Sequence, residues 1–292
     1  MIKGIDISHH STFTLSSFTD MVDSNELYFC FVKATEGATL KDEKFAAYWQ
    51  ISRNAGLLCG AYHFLRPLTD PVLQANNFIT QYKTVNRTGT LPPVVDIEWA
   101  TVGKDPNKTE QWALLAPSKR IPFIKSFLFQ VEQELHVKPI IYTATAFWKE
   151  FLEKNTSTDD KAFFSTFPLW HVNLNGTTPL PAPWTKATFV QTHFGELAKT
   201  TALFDKTDQD GFTGTLKDML NATLPGFTIA RGFPRSFIVQ EIQQALKSKN
   251  LLQENPDGLF GQHTENAVTA FQQKNGLFAN GIIDAQTWNK LL

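Results

Sequence analysis

Cysteine, charge of one sign and long apolar runs are all scarce in this 292-residue chain. Two cysteines, Cys30 and Cys59, are too few for a disulfide framework. Their neighbours, Tyr28-Phe29-Cys30-Phe31-Val32 and Leu57-Leu58-Cys59-Gly60-Ala61, make both thiols read as small buried hydrophobes. No uninterrupted apolar stretch approaches the ~20 residues that span a bilayer, so no membrane span is expected. The 27 basic and 28 acidic side chains leave a net charge of -1. Without a polybasic footprint, nucleic acid is disfavoured as a partner. Gly37, Gly60 and Gly89 build no phosphate-cradling loop. His9, His10, His63 and Asp96 would have to serve a zinc site, yet neither His-Glu-x-x-His nor Cys-x-x-Cys spacing occurs. Neither a cofactor nor a metal is therefore expected. Met1-Ile2-Lys3-Gly4-Ile5-Asp6 runs straight into a strand-like segment, without the apolar region of a secretory signal. A role outside the cytoplasm then needs release by lysis, by a holin or by a dedicated secretion route.

What the chain does have is apolar mass. Hydrophobic residues make up 42% and aromatics 13%, with 25 Phe and 7 Trp. That composition excludes disorder and suits a large core. Short apolar runs predict strands at Gly4–Ser8, Tyr28–Ala34, Leu58–Phe64, Val94–Glu98, Pro139–Thr143, Leu169–Val172 and Thr188–Gln191. Helical patterns lie between several of them, over Glu43–Ala55, Leu73–Lys83, Ile121–Leu135 and Thr145–Lys154. Repeated parallel βα units over some 210 residues predict an α/β, barrel-like domain. The stretch Leu224-Pro225-Gly226-Phe227 to Gly232-Phe233-Pro234 reads as a linker, dividing the chain into residues 1–222, a 223–235 connection and a 236–292 module. Within that module Asp257-Gly258…Thr264 is echoed by Asn280-Gly281…Thr287, each pair offset by 23 positions. Each copy places a tight turn before a helix-capping Thr. One lead helix plus two turn-and-helix units make a three-helix, all-α module suited to binding.

The sharpest local signal is Leu91-Pro92-Pro93-Val94-Val95-Asp96-Ile97-Glu98-Trp99. Residues two apart on a strand project from one face, so Asp96 and Glu98 sit side by side, ~6.6 Å apart along the strand. Burying two acids is costly without a function, and their repulsion raises at least one pKa, as a general acid requires. Glycosidases need such a pair across the scissile bond. A metal site and a structural surface pair are the competing readings. Asp6, His63, Tyr142, Gln191 and Asp208 occupy strand ends as well, and strand C-termini gather at one mouth of a barrel.

Taken in order, Gly4-Ile5-Asp6-Ile7-Ser8-His9-His10, Phe31-Val32-Lys33-Ala34-Thr35-Glu36-Gly37, Gly60-Ala61-Tyr62-His63-Phe64 and Pro92-Pro93-Val94-Val95-Asp96-Ile97-Glu98 strongly resemble the Chalaropsis-type lysozymes of glycoside hydrolase family 25. Leu169-Trp170…Asn173, Gln191 and Asp208-x-Asp210-x-Phe212-x-Gly214 continue the pattern to about residue 220. The tail, through Gln243-Gln244-Ala245-Leu246, Asp257-Gly258-Leu259-Phe260-Gly261, Phe271-Gln272 and Thr287-Trp288, resembles a small peptidoglycan-binding domain. The combination looks like a modular endolysin, acting as a monomer on bacterial glycan strands at the wall. The resemblance implies an irregular, TIM-like (β/α) barrel. It also implies muramidase activity on the β-1,4 bond from N-acetylmuramic acid to N-acetylglucosamine. Glu98 then corresponds to the general acid and Asp96 to the second catalytic acid, as nucleophile, water activator or partner of the substrate's 2-acetamido group. Asp6 and Asp208 correspond to supporting acids, with Asp205 the competing position for the latter, because the family commonly has Asp then Asn where this chain has Asp208 and Asp210. Tyr62, His63, Tyr142, Trp170 and Gln191 are expected to bind substrate. The rival readings are a non-catalytic wall-binding protein and an amidase or peptidase acting on the peptide stem.

Overall fold

In strand Leu27–Glu36, Phe29, Phe31 and Lys33 share one face while Cys30, Val32 and Ala34 share the other, and both sets are buried. Such two-sided burial belongs to a sheet covered on both faces. The protein was analysed as a computed structural model that describes residues 1–85, 88–101, 108–195 and 207–292. Its strands are β1 (Ile2–Ile7), β2 (Leu27–Glu36), β3 (Leu40–Lys41), β4 (Leu58–Phe64), β5 (Val94–Asp96), β6 (Ile140–Thr143), β7 (Leu169–Val172), β8 (Phe189–His193) and β9 (Asp208–Phe212). They run in the order β1-β9-β8-β7-β6-β5-β4-β2-β3, and a β1–β2 pairing closes all but the short β3 into a barrel. The expected α/β barrel is thus found. One departure makes it irregular: β9 is antiparallel to both β1 and β8.

The barrel interior is filled by Phe29, Phe31, Trp170, Phe189 and Phe212, and room for the rings comes from glycine. A Cβ on Gly4 would lie 2.4 Å from the Phe29 ring, and one on Gly60 2.2 Å from the Phe31 ring. The opposite strand faces, through Ile5, Val32, Ala61, Val95 and Ile141, meet the surrounding helices in a second apolar layer. Cys30 and Cys59 are free and buried in that layer. No helix among the described residues is long and apolar enough to cross a membrane.

Helices Phe237–Ser248, Gln262–Lys274 and Ala285–Leu291 form the C-terminal unit. Two buried glutamines, Gln243 and Gln272, tie its turns in the same manner. Gln243 accepts from the Asp257 and Gly258 amides and donates to Leu259 O. Gln272 accepts from the Asn280 and Gly281 amides and donates to Ile282 O. The stretch expected as a linker is packed rather than loose. Phe227 and Ile229 are buried, Ile229 and Ile283 exchange backbone hydrogen bonds, and Leu224 N donates to Thr90 O. The helical unit lies against the N-terminal ends of the barrel strands. Tyr28 meets Phe237 with ring centroids 5.9 Å apart, Gly56 abuts the Arg235 carbonyl and Gly89 abuts Phe227. Arg235 also pairs with Asp23, and Trp288 Nε1 donates to Asn221.

Candidate active site

Inward-facing positions at the opposite, C-terminal ends of the strands carry the polar residues. Asp6 follows Gly4 on β1, Lys33 follows Phe31 on β2, Tyr62 follows Gly60 on β4, and Asp96 follows Val94 on β5. Together with Glu98, Tyr142, Trp170, Gln191 and Asp208 they line one cleft of about 350 Å³.

Glu98 lies just past the end of β5, yet its backbone is fixed. Ile97 N donates to Tyr142 O and Thr143 Oγ1 donates to Ile97 O, while Trp112 Nε1 donates to Glu98 O at 2.9 Å. Burial and then the Asp208 carboxylate push Glu98 up to about 7, against the pull of Lys33. Asp96 lies deeper, only 7% exposed, and burial followed by the charge of Glu98 raises its pKa as well. Asp96 Oδ1 is buried with no hydrogen-bond partner among the described residues. Asp6 accepts from Gln191 Nε2 at 2.8 Å, and burial and Asp208 raise its pKa. Asp208 accepts from the Gly195 amide at 2.8 Å. Asp205 lies outside the described residues.

Two expected substrate contacts differ from their sequence reading. His63 does not reach the cleft. Alternation along β4 turns Tyr62 inward and His63 outward, where it is fully buried, bonds Thr35 and Gln74, and stacks on Phe127. Burial pushes its pKa down to about 3, so it is a neutral core residue. Trp170 does reach the cleft, but as floor. It is 2% exposed, stacked on Phe31 at 4.6 Å, and its indole N–H donates to Asp210.

Among the cleft-lining residues that the sequence reading did not assign, three are charged: Lys33, Glu36 and Arg66. Lys33 Nζ donates to Glu36 Oε2 at 2.6 Å, and Arg66 Nε donates to Glu36 Oε1 at 2.9 Å. Lys33 is 7% exposed and lowers the pKa of both Asp96 and Glu98. The available signal was parity: Lys33 shares the inward face with Phe29 and Phe31.

The model of the glycosyl hydrolases family 25 matches residues 5–193, from the middle of β1 to the end of β8, and includes the Asp96/Glu98 segment. The chain belongs to glycosyl hydrolases family 25. A peptidoglycan binding domain model matches residues 238–291. Among the relatives of this chain, the uncharacterized protein YegX of Escherichia coli K12 is 33% identical over 172 residues, 58% of this chain and 55% of its own length. The chain thus aligns with only about half of YegX. Lysozyme M1 of Streptomyces globisporus is 28% identical over 224 residues, 75% of this chain and 70% of that protein. The solved structure of a muramidase from Acremonium alcalophilum superposes with a TM-score of 0.63 at 26% identity, covering 76% of this chain and 98% of that one.

Proposed function

We propose that this family 25 protein is an N-acetylmuramidase that hydrolyses the β-1,4 bond from N-acetylmuramic acid to N-acetylglucosamine in peptidoglycan. Its 236–292 module holds it to the wall. The observation that carries the reading is the Asp96/Glu98 pair at one strand end, opening into a cleft lined by further acids.

Glu98 holds a proton near neutrality and sits at the mouth, so it protonates the leaving glycosidic oxygen. Removing its charge from water supplies the raised pKa, and Asp208 reinforces it. Asp96, one pleat deeper, faces the sugar that acquires positive charge as the bond breaks. It stabilises that oxocarbenium-like state, by attack on the anomeric carbon or by polarising the sugar's own 2-acetamido group. Asp6 and Asp208 hold the glycan and keep Glu98 protonated. Tyr62, Tyr142 and Gln191 form polar walls over a Trp170 floor. Lys33, paired with Glu36, limits how far the acid cluster shifts upward.

Incubation of the full chain with a defined peptidoglycan tests the reading, with soluble products identified by mass spectrometry. Muropeptides with new N-acetylmuramic acid reducing ends are expected. New amino groups without new reducing ends would mean an amidase or peptidase and overturn it. In Glu98→Gln, clearing falls about 10²–10⁴-fold while the protein still pellets with walls. Undiminished clearing would remove Glu98 from the acid role, and binding without clearing in the wild type would mean a non-catalytic wall protein.

A further inference from the structure

Beneath the cleft, Tyr142 Oη donates to Gln191 Oε1 at 2.6 Å, and Gln191 Nε2 donates to Asp6 Oδ2 at 2.8 Å. On the other side of Asp6 runs β9, whose register sets Asp208 beside Asp6 and Asp210 beside Gly4. Gly4 has no side chain to intervene, so strand alternation leaves the Asp210 and Asp6 carboxyls as neighbours on the inward face, each acting on the other's charge. Asp210 is 4% exposed. Its Oδ1 accepts from Trp170 Nε1 at 2.9 Å, whereas Oδ2 is buried and meets no donor among the described residues. Two carboxylates are both acceptors, so a hydrogen bond between them exists only where one keeps a proton.

The neighbours decide which one. Asp6 takes an N–H from Gln191 and borders the cleft, conditions that favour its charged form. Asp210 has one oxygen satisfied as a carbonyl would be and the other without a donor, the pattern of a carboxylic acid. The charges that act most strongly on the pair are negative, Asp208 from β9 and Asp96 and Glu98 from the end of β5, while Lys33 on β2, held by Glu36, is a cation of the same cleft. Tyr62 on β4, Tyr142 on β6, Trp170 on β7, Gln191 on β8 and the Cys30 thiol on β2 complete the surroundings as neutral groups. Against such a background a second anion at position 210 is strongly disfavoured.

We propose that Asp210 is a positioning residue whose carboxyl group carries a proton and donates it in a hydrogen bond to Asp6, fixing the Asp6 carboxylate toward the glycan. It acts through Asp6 and does not touch substrate. The kinetic side of this proposal rests on the muramidase reading. The protonation side does not.

Carbon-13 NMR of the full chain labelled at aspartate Cγ, correlated with each residue's own Cβ, tests the proton. At pH 7 the Asp210 Cγ is expected at the carboxylic-acid position, and a carboxylate position would overturn the proposal. Kinetics of variants test the role. Asp210→Ala removes both hydrogen bonds and lowers kcat roughly tenfold or more, and Asp210→Asn, which donates an N–H in place of the O–H, recovers most of the loss. Because Asn preserves the single negative charge of the pair, the alkaline limb of the Asp210→Asn pH profile stays where the wild type has it. A limb moved to lower pH would mean that Asp210 is ionised in the wild type and that its removal eases ionisation of Glu98, which would overturn the proposal. Should the Asn variant fail to fold, the wild-type NMR titration alone decides. An inactive wild type would overturn the muramidase reading but leave the Cγ result standing.

Discussion

Glu98 keeps its proton up to about 7 instead of the ordinary 4.5 because it is buried beside acids. For catalysis the protonated form is the competent one, so the rate falls as pH rises through about 7. Lys33 opposes the shift, and its replacement in Lys33→Met lets the Glu98 pKa climb further. The alkaline limb of the pH–rate profile is therefore expected at higher pH than in the wild type, and a limb that stays or moves down would contradict the assigned role of Lys33. The same residue carries a stability consequence. A carboxyl whose native pKa is raised favours folding fully below its unfolded pKa, and that contribution is lost as pH rises through about 7. Glu98→Gln, neutral at every pH, is accordingly more stable than the wild type at pH 8, by on the order of 2 kcal/mol. Near pH 4 the two should melt together. Thermal unfolding at both pH values checks the sign. At this scale Asp96 and Glu98 stand out in the sequence because two acids in an apolar strand are costly to bury, although a structural surface pair would read the same way. Asp210 does not stand out from its motif, since nothing in the linear chain says that Gly4 sets its carboxyl next to that of Asp6.

Among the elements, strands read from apolar runs have the firmest bounds. Leu58–Phe64 and Leu169–Val172 run as their sequence pattern indicates. β9 was not read as a strand. Its residues, Asp-Gln-Asp-Gly-Phe, look like a turn, because two of its three inward positions are acids, Asp208 in the cleft and Asp210 beneath it. The helical pattern in the sequence starts only at Ile121, whereas the helix spans Pro117–Leu135. Pro117 takes the first helical position, where no N–H is needed, and Pro122 is accommodated inside. The repeat in the C-terminal unit showed its glycines and threonines, but Gln243 and Gln272 stand 29 positions apart rather than 23 and so escaped the pattern. The tightest element-level constraint is where β4 meets β2. Gly60→Ala places a methyl group 2.2 Å from the Phe31 ring and should destabilise the fold by about 1–3 kcal/mol. Urea denaturation measures it, and a loss below ~0.5 kcal/mol would show that the Phe31 ring moves aside freely.

One of the two apolar layers runs without a break from the barrel interior into the three C-terminal helices. Interfaces of this kind, large and hydrophobic, suppress the relative motion usual between domains. Calorimetry of the intact chain should then give a single cooperative transition, and two resolved transitions would refute a shared core. A chain ending at Ala222 loses the cover over Tyr28, Gly56 and Gly89 and is expected to melt at lower temperature than the intact protein. A change in composition puts the boundary at 223–235, where Pro and Gly suggest slack. Only the buried partners of Phe227 and Ile229 reveal a strap. If the helices grip a glycan while the cleft opens at the far end of the barrel, the point held and the point severed lie a full barrel height apart. The protein's own length then acts as a gauge for the distance between anchorage and cut.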